Sequence, residues 1–169
     1  QDPSESALRV SAQSTETGKN SAAILEGDVV ISQGYRQITS DYALIDPENR
    51  QINLSGNVNF REPNILLAGE HALLDLDSQE LKLKNADYVL HNASIRGSAD
   101  TLHRQKNGIT IIEDATYTSC APNINSWQLK TEEIKLDEAT GFATIKNARL
   151  DIAGVPIFYF SYGKFPIND

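Results

Sequence analysis

Three histidines, four strand-end aspartates and one cysteine are the first residues to weigh for chemistry in this chain. His71, His91 and His103 fall in no metal-ligand spacing such as HxxxH or HExxH. They flank apolar runs or precede a turn, and read as surface or structural side chains. Asp46, Asp75, Asp77 and Asp137 close apolar runs at recurring positions. Paired carboxylates can perform acid–base work, but recurrence before a polar turn favours capping of turn N–H groups. There is no GxSxG and no P-loop. Cys120, in "ATYTSCAPN" (115–123), is the one thiol. A nucleophilic cysteine needs a base, and no histidine is near it in sequence. A lone thiol is unusual in an oxidising compartment and ordinary in a reducing one. No catalytic set, cofactor site or metal site follows from these residues, and the chain does not read as an enzyme.

The bulk numbers narrow the classes further. At 169 residues, 40% apolar and 22% charged, the chain fits one domain with a real core. The net charge of −8 argues against a nucleic-acid partner, which needs a basic face. No run approaches the ~18 apolar residues of a spanning helix. The start, "QDPSESALRV", has neither a basic n-region nor an apolar h-region, and reads as a mature or trimmed N-terminus.

The elements that must carry any site come from a repeat. "LEGDVVI", "LSGNVNF", "LKNADYV", "IEDATYT" and "IKNARLD" begin at residues 25, 54, 83, 112 and 145, spacings of 29, 29, 29 and 33. Their third position is Gly, Gly, Asn, Asp, Asn, the types that tolerate bulges and unusual φ/ψ. Between them recur "ITSDYALID", "LAGEHALLD", "IRGSADTLHR" and "LKTEEIKLD", each followed by a polar turn and another aliphatic run. The unit is strand, turn, strand. Residues 1–21 are polar and read as a flexible lead; 22–153 form the repeat domain.

The alternation of apolar and polar residues slips by one. Val29 and Ile31, or Val58 and Phe60, share a face with their leading leucine, whereas Ala86, Tyr88, Leu90 and Ala148, Leu150, Ile152 are out of phase. A one-residue shift exchanges the faces of a strand. Either a bulge near Asn85 and Asn147 absorbs it, or the strands reorient. Stacked units of this kind leave open edges, which invite pairing with another chain. Residues 154–169 differ: Phe158, Tyr159, Phe160, Tyr162 and Phe165 crowd between Pro156 and Pro166. They read as a last strand or as a membrane-interface belt. Trp127 reads as core or as the lining of an apolar groove.

S-C-x-P at Ser119–Pro122, Trp127, N-A-R at Asn147–Arg149 and G-V-P-I-F-Y at Gly154–Tyr159 carry a specific resemblance. Residues 22–169 resemble the periplasmic N-terminal domain of the LptD family of lipopolysaccharide-assembly proteins, with OstA/LptA-type repeats. The resemblance implies an all-β, repetitive antiparallel β-jellyroll, two facing sheets opened into a V with an apolar interior for lipopolysaccharide acyl chains. It implies LptA on the N-terminal strand edge, and a C-terminal outer-membrane barrel holding LptE, reached through residues 154–169. It implies the periplasmic face of the Gram-negative outer membrane. It also implies a disulfide from Cys120 to a cysteine of the barrel, a partner this chain lacks.

From the apolar face of alternate strands, the lining expected is Val29, Ile31, Ile45, Val58, Phe60, Leu74, Leu76, Tyr88, Leu90, Tyr117, Trp127, Leu136, Leu150 and Ile152. The groove is expected to be wide and partly open, because a conduit must release its cargo. Ile24–Ile31 and Tyr35–Ile45 are the strands expected to meet LptA. The alternatives are a self-standing LptA/LptC-like bridge protein, a β-solenoid polysaccharide enzyme needing two carboxylates about 5–10 Å apart over a cleft, and an adhesin-like repeat with a solid core.

Overall fold

In the computed structural model, which describes residues 6–18, 21–91, 94–124 and 126–167, β-hairpins follow one another along the chain. The strands are β1 (Arg9–Ser11), β2 (Ser14–Thr17), β3 (Ala23–Gln33), β4 (Arg36–Asp46), β5 (Gln51–Glu62), β6 (Ile65–Asp75), β7 (Leu81–Leu90), β8 (Ile95–Arg104), β9 (Ile109–Tyr117), β10 (Trp127–Asp137), β11 (Phe142–Ile152) and β12 (Val155–Pro166). They form one antiparallel sheet in the order β1-β3-β4-β5-β6-β7-β8-β9-β10-β11-β12, with β2 also on β3. Threonine, valine, isoleucine and leucine at alternate positions fit such a pleated, half-buried surface.

The repeat's third position folds this sheet. Gly27, Gly56, Asn85, Asp114 and Asn147 all have positive φ, between 48 and 74°. Asp28 and Asn57 join the first two, which makes a bulge of two residues facing one on the neighbouring strand. At the single-residue positions the inward set jumps by three instead of two: Leu83 to Ala86, Ile112 to Ala115 and Ile145 to Ala148 are all buried. This is the phase slip seen in sequence. It is a fold line crossing the sheet, not a reorientation of individual strands.

Each long strand therefore contributes to two arms. We call the first arm the part before the fold line in β3, β5, β7, β9 and β11, with its even-numbered partners, and the second arm the part after it. Buried side chains from both arms, among them Leu54, Val58, Phe60, Leu67, Leu83, Tyr88, Leu102 and Ile134, join in one apolar core. The two facing sheets of the expected jellyroll are thus the two halves of one folded sheet.

The turns at the far end of the first arm are held by aspartates. Asp46 Oδ1 accepts from the N–H of Glu48 and Asn49 at 3.0 and 3.1 Å. Asp75 Oδ1 accepts from Asp77 and Ser78 at 3.0 and 2.8 Å, and Asp137 Oδ1 from Thr140 at 3.1 Å. Capping was expected of all four aspartates, and three of them cap. Asp77 differs: its carboxylate pairs with Arg50 of the adjacent turn.

Two further expectations change. Residues 9–11 and 14–17, placed in a flexible lead, are the short strands β1 and β2 on the edge of β3; residues 1–5 and 19–20 lie outside the described set. Open ladder groups on β3 and β-favouring Val10, Thr15 and Thr17 account for the pairing. Tyr35–Ile45 is not an edge either, because β4 runs between β3 and β5. The N-terminal edge is made by β1 and β2. At the other end β12 continues the sheet, pairing with β11 from Ile152–Val155 to Phe142–Pro166.

Candidate functional site: the interior between the arms

The interior is apolar and tightly filled. Of the expected lining, Val29, Ile31, Val58, Phe60, Leu74 and Tyr88 are buried. Ile45, Leu76, Leu90, Tyr117, Trp127, Leu136 and Leu150 are half-buried against that core. Ile152 is not part of it: at 45% exposure it faces solvent. The β11–β12 pairing shifts at Leu150/Asp151, which ends the alternation that would have turned Ile152 inward. Asp151 is buried instead, its carboxylate held by Arg149 at 2.8 Å and Lys130 at 3.4 Å. Arg149, first, and then Lys130 hold that carboxyl below its ordinary range.

The groove is narrower than the wide one expected. Between the arms lies a cavity of about 80 Å³, lined by Leu8, Ile31, Arg36 and Ile38 on one side and Leu74, Leu76 and Gln79 on the other. Ile31 and Ile38 belong to the second arm, Leu74 and Leu76 to the first, so the cavity lies at the mouth where the free ends of the arms meet.

Charged side chains close this mouth. Arg36, Glu62, Arg104 and Glu138 continue the inward alternation of Ile38, Phe60, Leu102 and Leu136 by one step. Glu62 Oε1 is 2.9 Å from Arg36 Nη2, and Glu62 Oε2 is 3.3 Å from Arg104 Nη2. Arg104 Nη1 lies 3.1 Å from Glu138 Oε1. The Arg36 guanidinium also lies 5.6 Å from the Phe60 ring centre, a cation–π arrangement. None of these four was a candidate in the sequence reading. The signal was there: each extends an apolar period-two series by one charged residue.

A seam runs through the second arm. β8 and β9 are paired from Thr101–Glu113 to Arg104–Thr110, and then only at Arg96–Thr118. Between these, Tyr88 Oη donates to Thr116 O at 2.5 Å and Ser98 N donates to Thr116 Oγ1 at 2.9 Å. Burial pushes the Tyr88 phenol well above its usual range, which keeps it a donor. Gly97 leaves the space for that ring: a Cβ there would lie 1.9 Å from Thr116 O and 2.5 Å from Tyr88 Oη.

The thiol sits beyond the second arm, in the loop joining β9 to β10. Arg96 donates to the carbonyls of Cys120, Ala121 and Ile124, each at 3.0 Å, and so shapes the loop. Cys120 N donates to Thr118 Oγ1 at 3.1 Å, and Tyr117 stacks obliquely on Trp127 at 5.8 Å. Cys120 is half-buried and free. The Thr118 hydroxyl, with a smaller contribution from the Arg96 charge, draws its pKa below the usual thiol range.

The potential acid–base and metal residues are dispersed. The capping aspartates are spent on backbone N–H groups at separate turns. His103 Nε2 lies 3.0 Å from Glu80 Oε2 on the outer face. Asp100, Glu113, Asp114, Glu132 and Glu133 gather outside the fold line, where Thr101, Asn147 and Lys146 bind Glu113, Glu132 and Glu133. Among the described residues no three His, Cys, Asp or Glu side chains converge on a metal position.

An unclosed antiparallel sheet, folded across its middle around an apolar interior and open at both edges, defines a repetitive antiparallel β-jellyroll. The solved structure of LptH, the LptA homologous periplasmic component of the lipopolysaccharide transport device of Pseudomonas aeruginosa, has this fold: TM-score 0.55 at 19% identity, over 63% of this chain and 81% of that one. A family profile described as LptA/(LptD N-terminal domain) LPS transport protein matches residues 9–142, and the chain belongs to that family. Relatives named LPS-assembly protein LptD occur in Pseudomonas fluorescens, 47% identical over 148 residues, and in Pseudomonas putida, 45% identical over 148 residues. Another, from Pseudomonas savastanoi pv. phaseolicola, is 42% identical over 147 residues. The match takes in 87% of this chain and 16% of each relative.

Proposed function

We propose that this chain is the periplasmic lipopolysaccharide-handling domain of an LptD-type assembly protein, and that acyl chains of lipopolysaccharide travel between its two arms. The observation that carries the reading is the shared apolar interior of the folded sheet, which reaches the mouth through Ile31, Ile38, Leu74 and Leu76. Burial of an acyl chain there is favourable by ~0.8 kcal/mol per CH₂. Family membership supports the cargo, because the family is one of LPS transport proteins.

The edges supply the route. An LptA-type jellyroll adds its terminal strand to the N-terminal edge made by β1 and β2, and the cargo leaves past β12 toward an outer-membrane barrel with its LptE partner. Backbone pairing at a free strand edge supports both docking steps. On β12, Ile157, Phe158, Tyr159 and Tyr162 are all at least 58% exposed, which suits a strand that meets a further apolar surface. Cys120, held in a shaped loop with a depressed pKa, is the thiol that would form a disulfide with the barrel in the oxidising periplasm.

Photo-crosslinking tests the conduit. A photoreactive phenylalanine at the half-buried interior positions Leu76 and Leu90, with controls at the exposed turn residues Asn49 and Lys106, is irradiated with lipopolysaccharide. Adducts at the interior positions and not at the turns are the expected result. Absence of adducts at Leu76 and Leu90 in folded protein would overturn the conduit and leave a docking module.

A further inference from the structure

The filled interior and the charged mouth belong to one device. Acyl chains do not fit a cavity of about 80 Å³, so passage between the arms requires the arms to part. What resists that parting at the mouth is a chain of four charges: Arg36 and Glu62 on the second arm, Arg104 and, at the solvent side, Glu138 on the first. Only the Arg104–Glu62 contact at 3.3 Å joins the two arms within this chain of charges. Arg36–Glu62 lies within the second arm and Arg104–Glu138 within the first.

We propose that Arg104 and Glu62 form the latch of the groove: their ion pair holds the arms closed, and its release widens the mouth. The lipid part of this inference rests on the conduit reading above; the closure rests on geometry alone. Inward-facing charges on central strands have little value for packing, since desolvating them costs more than an apolar side chain would. Their side chains are 20% and 10% exposed, buried enough to hold a fixed geometry and wet enough to separate. Arg36 shares the Glu62 carboxylate, so Glu62 retains a partner when Arg104 leaves. Glu138, 54% exposed, gives Arg104 a second partner on its own arm. Both latch residues thus stay paired in the open state, which lowers the barrier to opening compared with an isolated buried pair. An ion pair also answers to ionic strength, because at 1 M salt the screening length falls to about 3 Å.

The test measures arm separation and lipid entry separately. Spin labels are placed at Asn64 and Lys106, exposed turn residues next to Glu62 and Arg104 on opposite arms, in a Cys120→Ser background. The parent is expected to give one narrow short distance at low salt that broadens to longer distances at 1 M NaCl. Arg104→Gln and Glu62→Gln are expected to show the long distances at low salt and little further salt response, while Arg104→Lys keeps the parental distance. Entry of the fluorescent fatty acid 11-(dansylamino)undecanoic acid is expected to be on the order of fivefold faster in both Gln variants. Unchanged distances in both folded variants would overturn the latch whatever the lipid data. Wider arms without faster probe entry would uphold the latch and overturn the conduit reading instead. Glu138→Gln, which leaves the inter-arm contact intact, is the control and is expected to match the parent.

Discussion

Arg104 and Glu62 each end their strand, three strands apart and running in opposite directions, and so lie at opposite margins of the same sheet, yet their side chains meet at 3.3 Å. Lateral spacing alone would separate β5 from β8 by about 14 Å. The contact is possible because the sheet is folded at the line of positive-φ residues and its ends face each other. The same fold brings Ile31 and Ile38 opposite Leu74 and Leu76. Several consequences of this arrangement are open to measurement besides the conduit and the latch.

The fold line depends on residues that accept a left-handed backbone. Asn85 and Asn147 both have φ of 50°, and their amides also reach Glu70 and Glu132 on the preceding strands. An alanine carries the left-handed penalty of about 1–2 kcal/mol, and glycine does not. Asn85→Ala is therefore expected to lower the urea midpoint clearly, and Asn85→Gly to lower it by less than half as much. Equal losses in the two variants would mean that the Glu70 hydrogen bond, not the backbone, is what the residue supplies.

The β8–β9 seam requires Gly97. With Thr116 O 1.9 Å from the position of an added Cβ, Gly97→Ala displaces either the Tyr88 ring or the strand. A loss of about 3 kcal/mol or more is expected. Tyr88→Phe removes only the hydrogen bond to Thr116 O and is expected to lose about 1–2 kcal/mol. Denaturant titration of both variants, ranked against each other, checks the assignment; a milder effect of Gly97→Ala than of Tyr88→Phe would contradict it.

Phe60 carries the packing under the mouth. It is 2% exposed, and Arg36 covers its ring. Phe60→Ala is expected to destabilise the domain by about 3–5 kcal/mol, whereas Ile152→Ala on the outer face is expected to stay within about 1 kcal/mol. Parallel thermal melts decide this, and similar losses at both positions would place Ile152 in the interior after all.

The capped turns set an acid limit. Hydrogen bonds from the turn N–H groups, those of Asn49, Ser78 and Thr140 foremost, hold Asp46, Asp75 and Asp137 below their ordinary pKa of 3.8. A carboxyl depressed in the folded state binds its proton more readily when unfolded. Its stabilisation is complete above about pH 4 and is lost as the pH falls through the folded value. Stability is expected to drop from pH 4 downward. In Asp75→Asn the slope below pH 4 is expected to be shallower, as read by urea midpoints taken between pH 5 and pH 2.5.

Much of this was readable in the residues. The 29-residue repeat announced hairpins of equal length, since each turn and each kink needs its own residue type. Gly27, Gly56, Asn85, Asp114 and Asn147 could be recognised as backbone singularities because few side chains tolerate positive φ. Asp46, Asp75 and Asp137 were legible as turn caps for the same local reason. Thirteen of the fourteen expected lining residues pack into or against the core, with Ile152 the exception, because alternation reports a face directly.

What alternation cannot report is which arm a face meets. Arg36, Glu62, Arg104 and Glu138 end their apolar series as ordinary strand-end charges, and nothing in their sequence separations, 42 residues between Glu62 and Arg104, pairs them. The covering of β3 by β1 and β2 was equally hidden, because seven residues, six of them polar, gain strand structure only from the edge beside them. The outward turn of Ile152 came from one register shift against β12. The sequence by itself determined the strands, the turns and the fold line, all set by backbone preferences within a few residues. The tertiary structure alone decided the closure of the mouth, because that depends on how far one half of the sheet folds over the other and which side chains then come within reach.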